Sequence, residues 1–245
     1  MIQDPPVRTP TTRRALAKQQ TRARLIAAAK ALVAQRGYEA ATLRDVAAMA
    51  EMSTGAVFAN FADKADLFNE VIIDDYAELL ARMSAVGSQT SSPRANLLNA
   101  LCAGYALRLE QLSLMQAQLG FSWSNDRGLE RRSRLGVRPI LDFLAEIVRA
   151  GVRAGALTAS IDADLIAEMT WDSYVANYRH AIFDGWTVEA LRDRMADQID
   201  ILLDGYRAAE RGESSISRSI SRVVEAGPRT QASHSVQIRQ AAFRG

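Results

Sequence analysis

Two helices too short to stand alone lie about three residues apart between Thr42 and Asn60. They constrain this chain more than anything else in it. Thr42 is a good N-cap for the segment LRDVAAMA, and Asp45, at the third helical position, can reach back as a short form of the capping box. Val46, Ala47 and Met49 supply the side expected to be buried. After the tight connection Glu51-Met52, Ser53 caps a second helix running from about Thr54 to Asn60. Helices of this length are not stable in isolation. The pair therefore reads as a helix-turn-helix held on neighbouring helices.

The flanks supply those neighbours. Leu25, Ile26, Ala29, Leu32 and Val33 recur at helical spacing, and Gly37 is a fitting stop. Asp63 caps a further helix that starts at Lys64 and carries Leu67, Phe68, Val71 and Ile72 on one face. Beyond it the helical period continues, with expected helices at roughly 65–86, 93–119, 126–134, 138–154, 162–183 and 187–209. Strand-like alternation of useful length is missing, so the fold class is all-α. Residues 1–18, with Pro5, Pro6 and Pro10, read as a flexible basic arm, and 211–245, rich in Ser, Arg and Gln, as a disordered tail.

Charge divides unevenly along the chain. Residues 1–70 carry net +3, residues 71–210 net −5 and residues 211–245 net +4. Between residues 5 and 38 there are eight basic residues and no acid. A basic N-terminal region on an acidic body points to a polyanion partner, with a solvated basic tail as the alternative. The second helix of a helix-turn-helix enters the DNA major groove. Here Gly55, Ala56 and Ala59 would let its backbone approach closely, and Ser53, Thr54 and Asn60 offer hydrogen bonds. Val57, Phe58 and Phe61 would hold it to the helices beneath, while Lys64 would reach a phosphate.

The segment Thr21–Ile72 resembles the DNA-binding domain of TetR-family transcriptional regulators. The resemblance rests on Thr21-Arg22, Arg36-Gly37-Tyr38, Thr42, Val46-Ala47, Ser53-x-Gly55, Phe58-x-x-Phe61 and Asp63-Lys64-x-x-Leu67, each at the family's spacing. It implies an N-terminal three-helix DNA-binding domain (19–79, helix-turn-helix about 42–61), followed by a larger helical ligand-binding and dimerisation domain (80–210). DNA contacts would then fall on Thr42, Arg44, Ser53, Thr54, Gly55, Ala56, Phe58, Asn60 and Lys64. Three basic residues of the first helix and arm, Arg13, Arg14 and Arg22, would join them, with Lys18 and Arg24. The family commonly has tyrosine at Phe58 and basic or histidine types around Thr54 and Ala59-Asn60. This recognition helix is thus poorly charged, which shifts phosphate binding onto the arm and Lys64.

The same resemblance implies a homodimer on a palindromic double-stranded DNA operator, an unknown small-molecule inducer and repression as the usual outcome. Ligand binding would shift the helix at 65–86 and change the spacing of the two recognition helices. In the family the last two long helices form the subunit interface, which here offers Leu165, Met169, Leu191, Met195, Ile199 and Leu202, with Tyr174 and Leu203. For the inducer pocket the candidates are Tyr105, Trp123, Phe143 and Trp171, aromatics that serve equally as ordinary core. The dense run Arg127, Arg131, Arg132, Arg134 and Arg138 reads as a solvated face paired with carboxylates, with an anion site as the alternative.

Catalytic raw material is poor. His180 and His234 are the only histidines and Cys102 the only cysteine, and Cys102 sits in an apolar helical stretch. With no phosphate loop, zinc-protease or paired-cysteine motif, neither enzyme chemistry, a cofactor nor a metal is expected. No run of about 18 apolar residues points to a membrane span. A single cysteine and an N-terminus without an apolar signal core fit the cytoplasm. A helical protein-binding adaptor is the other reading, and it would lack salt-sensitive DNA binding.

Overall fold

A computed structural model describes residues 13–121 and 127–207. The chain divides into two units, Met1–Ala208 and Ala209–Gly245. The second unit, with the expected tail and His234, lies outside the described residues, as do Trp123 and residues 1–12 of the arm. The described chain is helical: α1 Arg13–Ala40, α2 Leu43–Met49, α3 Thr54–Phe58, α4 Lys64–Val86, α5 Pro93–Leu109, α6 Leu112–Phe121, α7 Arg127–Arg153, α8 Ala163–Asp184 and α9 Val188–Asp204. Among these residues the only extended pairing is an isolated bridge between Leu157 and Arg207.

Local chemistry accounts for most of these boundaries. Thr42 and Asp45 close a full capping box, Ser53 caps α3, and Asp63 caps α4 by accepting from the Asp66 amide at 2.7 Å. Gly37 breaks α1 with φ 78°, a left-handed conformation that favours glycine. Glu51 adopts φ 55° in the turn of the helix-turn-helix, a position where a non-glycine residue costs about 1–2 kcal/mol.

Three expectations about the elements are corrected. The arm is helical from Arg13, because once Pro10 is passed the segment RRALAKQQ consists of strong helix formers. The expected helix 93–119 is two, turning at Glu110-Gln111 without a local breaker. There the Gln111 amide donates to the Arg108 carbonyl and the chain swings α6 back towards α1. The expected break at Gly136 is absent. Gly136 instead lies against Ile73 and Tyr76 of α4, where a Cβ would come within 3.0 Å of Ile73, and the exposed Pro139 is carried inside α7.

Two hydrophobic clusters result. The first joins Leu25, Leu32 and Val33 of α1 to Val46, Val57, Phe61, Leu67 and Phe68, and takes in Leu114 from α6. The second is built on Leu79, Leu97, Leu101, Tyr105, Leu144, Val148, Tyr174, Leu191 and Met195. Helix α4 serves both, with its N-terminal half in the first and its C-terminal half in the second. Within the second, a Cβ at Gly104 would lie 2.4 Å from the Tyr174 hydroxyl, so glycine there permits close approach of α5 and α8.

Candidate nucleic-acid interface

Helix α3 has only five residues, so its position is set by what it touches. Val57 and Phe61 are buried beneath it. Ser53, Thr54, Gly55, Phe58 and Ala59 face outward. Phe58, expected to help pack the helix, is 58% exposed, because helical phase turns it away from Val57. Met49, likewise expected inside α2, is exposed, and Ala50 takes the buried position. The Ser53 oxygen accepts from the Ala56 amide at 3.2 Å, which leaves its hydroxyl proton for an outside acceptor. At Gly55 a Cβ would meet only Ser53 Oγ, at 3.7 Å. The fold itself therefore does not require glycine there.

Several residues expected on phosphate turn inward. Arg22 Nη1 donates to the Asn60 carbonyl at 2.8 Å, its guanidinium lies 4.3 Å from the centre of the Phe61 ring, and Nη2 pairs with Glu70 at 3.0 Å. Arg24 Nη2 donates to the Ala50 carbonyl at 2.7 Å, closing the C-terminus of α2. Lys64 lies 4.2 Å from the Tyr38 ring centre and donates to the Glu39 carbonyl at 3.1 Å. These cations complement carbonyls at or just beyond the C-terminal ends of α3, α2 and α1, where positive charge is favoured. Asn60 Nδ2 donates to the Ala56 carbonyl at 2.8 Å, so its amide continues α3 and does not point outward. The Thr42 hydroxyl donates to Asp45 at 2.6 Å while accepting from the Asp45 amide, and this bond holds the Asp45 carboxyl below its ordinary range. Arg13, Arg14, Lys18 and Arg44 remain exposed. Arg14 and Lys18 precede Arg22 at steps of four and continue its face along α1.

The clamp on α3 extends into the second cluster's helices. Arg132 of α7 donates to Asp66 at 2.6 Å and pairs with Glu70. Arg132, Glu70, Arg22 and the Asn60 carbonyl thus form a continuous ionic chain from α7 to the end of α3. Of the arginine run, Arg132 and Arg138 are paired with carboxylates, while the side chain of Arg127 lies outside the described residues.

The other expected sites are rearranged. Leu191, Met195, Ile199 and Leu203 lie in the intramolecular core, because their four-residue phase on α9 faces α5, and Tyr174 of α8 is buried with them. Leu202 is half-buried, whereas Leu165 and Met169 are exposed. Two further exposed apolar side chains on the same helices, Phe183 at 72% and Ile201 at 70%, escaped the sequence reading. Tyr105 stacks on Tyr174 at 4.5 Å, and Tyr174 on Trp171 at 5.3 Å. Phe143 lies instead at Gly87. Burial pushes the half-buried Cys102 thiol up to about 11, and His180 pairs with Asp184 at 2.9 Å and stacks on Trp186.

Residues 25–71 match the family described as bacterial regulatory proteins, tetR family. That segment of the chain is similar to the TetR-type DNA-binding domain. The chain is 24% identical over 166 residues to the HTH-type transcriptional repressor KstR2 of Mycobacterium tuberculosis, covering 62% of this chain and 78% of that one. It is 28% identical over 155 residues to the probable acrEF/envCD operon repressor of Escherichia coli, covering 60% and 69%. The fold matches that of the regulator FadR from Bacillus subtilis, solved in complex with stearoyl-CoA, with TM-score 0.63 and 16% identity over 75% of this chain and 98% of that one. The first two relatives are DNA-binding transcriptional repressors, and the matched segment spans α2 and α3. Among the described residues no helix is long and apolar enough to cross a membrane.

Proposed function

We propose that this protein is a ligand-responsive, non-enzymatic repressor of the cytoplasm that binds a palindromic operator as a homodimer. The observation that carries the reading is the recognition helix itself. It is fixed from beneath by Val57, Phe61 and Arg22 and offers Ser53, Thr54, Gly55 and Phe58 outward. Residues 19–79 form the DNA-binding domain, and 80–210 sense the ligand and dimerise. The dimer face is the outer side of α8 and α9, centred on Leu165, Met169, Phe183 and Ile201. Apolar side chains this exposed on two adjacent helices favour burial by a second copy. Ser53, Thr54, Gly55, Ala56 and Phe58 meet the major groove, and Arg44, Arg13, Arg14 and Lys18 meet phosphates.

Selection of bound DNA from a random duplex library by the purified protein tests this reading, followed by titration of the winner against salt. A palindromic consensus with a steep salt dependence is expected. Weak binding to all sequences without enrichment would refute it.

A further inference from the structure

Arg108 is the most deeply buried arginine among the described residues, with its side chain 3% exposed. Its Nη1 pairs with Asp75 at 2.5 Å and donates to Gln118 at 2.7 Å. Its Nε and Nη2 are buried and have no hydrogen-bond partner. These two nitrogens form the side-on edge of the guanidinium, whose parallel N–H bonds match the two oxygens of one carboxylate. A buried donor pair is seldom left open unless something uses it.

The surroundings favour an anion with an apolar body. Asp75 also binds Lys30 at 3.2 Å, and Lys30 is largely buried while its other partner, Glu78, is 44% exposed. Glu78 balances Lys30 on the solvent side, so the buried Asp75 neutralises Arg108 at Nη1 and leaves the Nε–Nη2 edge as an open donor pair. The guanidinium carbon lies 5.9 Å from the Tyr76 ring centre, and Tyr76 meets Trp171 edge-on at 5.9 Å. Thr170, beside Trp171 in α8, holds another buried hydroxyl without a partner.

Resting on the reading of 80–210 as the sensing domain, we propose that its ligand is an apolar carboxylate held by the Nε–Nη2 edge of Arg108. The site also carries its own coupling. Arg108 lies on α5, Asp75 on α4 and Lys30 on α1. A carboxylate that draws Arg108 towards itself loosens the grip on Asp75 and leaves Asp75 to Lys30 of α1 and to the Gln118 amide of α6, 2.9 Å away, so α4 exchanges a bond to α5 for those to α1 and α6.

The test measures binding of octanoate, octanamide and octylamine, and of phenylacetate with its amide and amine, to the full-length protein and to Arg108→Lys. The wild type is expected to bind the carboxylate at least about tenfold more tightly than its amide, and the amine not at all. In Arg108→Lys, which keeps the charge but loses the fork, that ratio should fall towards one. Equal binding of acid and amide, no carboxylate binding, or a preference that survives Arg108→Lys would overturn the proposal. If that variant fails to fold, nitrogen NMR of arginine Nε in the wild type decides: the Arg108 signal moves with carboxylate and not with amide, and an unmoved signal refutes the site. Operator binding is scored separately without ligand. A protein that binds operator but lacks the preference refutes the site alone, and one with the preference but no operator refutes the regulatory reading alone.

Discussion

Arg22→Ala separates a structural arginine from a phosphate contact. The substitution removes three interactions: the hydrogen bond to the Asn60 carbonyl, the contact with the Phe61 ring and the pair with Glu70. A charged hydrogen bond contributes about 1.5–3 kcal/mol, a cation on an aromatic face about 0.5–1, and a partly exposed pair about 0.2–1. With side-chain exposures of 32% for Arg22 and 20% for Glu70, the pair belongs at the weak end. The three share one side chain and do not add fully, so the expected loss is about 2–3 kcal/mol, or roughly 5–10 °C in Tm for a chain of this size. Because α3 cannot hold its place alone, operator affinity should fall about 10–100-fold with the salt slope unchanged. A phosphate contact would behave differently, lowering the slope by about one with little change in Tm. Glu70→Gln sharpens the contrast. Removing an acid near DNA should strengthen binding on charge grounds alone, whereas loss of the partner of Arg22 and Arg132 should weaken both Tm and affinity. Tighter operator binding by Glu70→Gln, or a reduced salt slope in Arg22→Ala at constant Tm, would refute the clamp.

Three further outcomes are expected. Gly55→Ala should raise stability by about 0.5–1 kcal/mol, as glycine in a helix is disfavoured and the new methyl meets only Ser53 Oγ, yet weaken operator binding by about 1–3 kcal/mol through overpacking at the groove. Calorimetry and operator titration on one sample check both signs. Phe183→Asp combined with Ile201→Asp should give a folded monomer by sedimentation, and a persisting dimer would move the interface elsewhere. The pH dependence of Tm follows from shifted carboxylates, Lys30 and the Cys102 thiol. Burial pushes Asp66 up, but the Ala62 amide and Arg132 outweigh it, and the Arg94 hydrogen bond holds Asp200 low. Such depressed carboxylates stabilise above their unfolded value, about 3.9, and lose that stability as pH falls through the folded value. Burial pulls Lys30 down, but Glu78 and Asp75 outweigh it and hold it high, so its contribution is present below about 10.4 and lost above. Tm should be flat between about pH 6 and 7.5 and fall above it, as an unfolded thiol ionises at about 8.5 while burial keeps Cys102 protonated; a slope between about pH 6 and 7.5 would contradict the assignment.

What could be read from the sequence was whatever local chemistry decides. Thr42, Ser53 and Asp63 cap their helices as their side chains allow, and Gly37 stops the first helix by its freedom at positive φ. What could not be read has partners far along the chain. Arg22 finds its carbonyl 38 residues away and Arg24 finds its own at 26, and no spacing rule distinguishes such clamps from phosphate contacts. From the sequence the acid-free stretch reads as a DNA face or a solvated tail, although part of its charge serves to seal the open carbonyl ends of helices too short to stand alone. Gly136 misleads for a related reason: α7 is held along its length by α4 and α8, and packing overrides a local breaker. One signal was present and unused. Arg108 stands in phase with Leu97, Leu101 and Gly104, on the buried stripe of α5. An arginine on an apolar stripe must find a carboxylate inside, and Asp75, in phase with Ile72 and Leu79 on α4, is the complementary misfit. Two opposite charges on the inner faces of two helices already imply that those faces meet, and that their meeting is where the protein keeps a polar site.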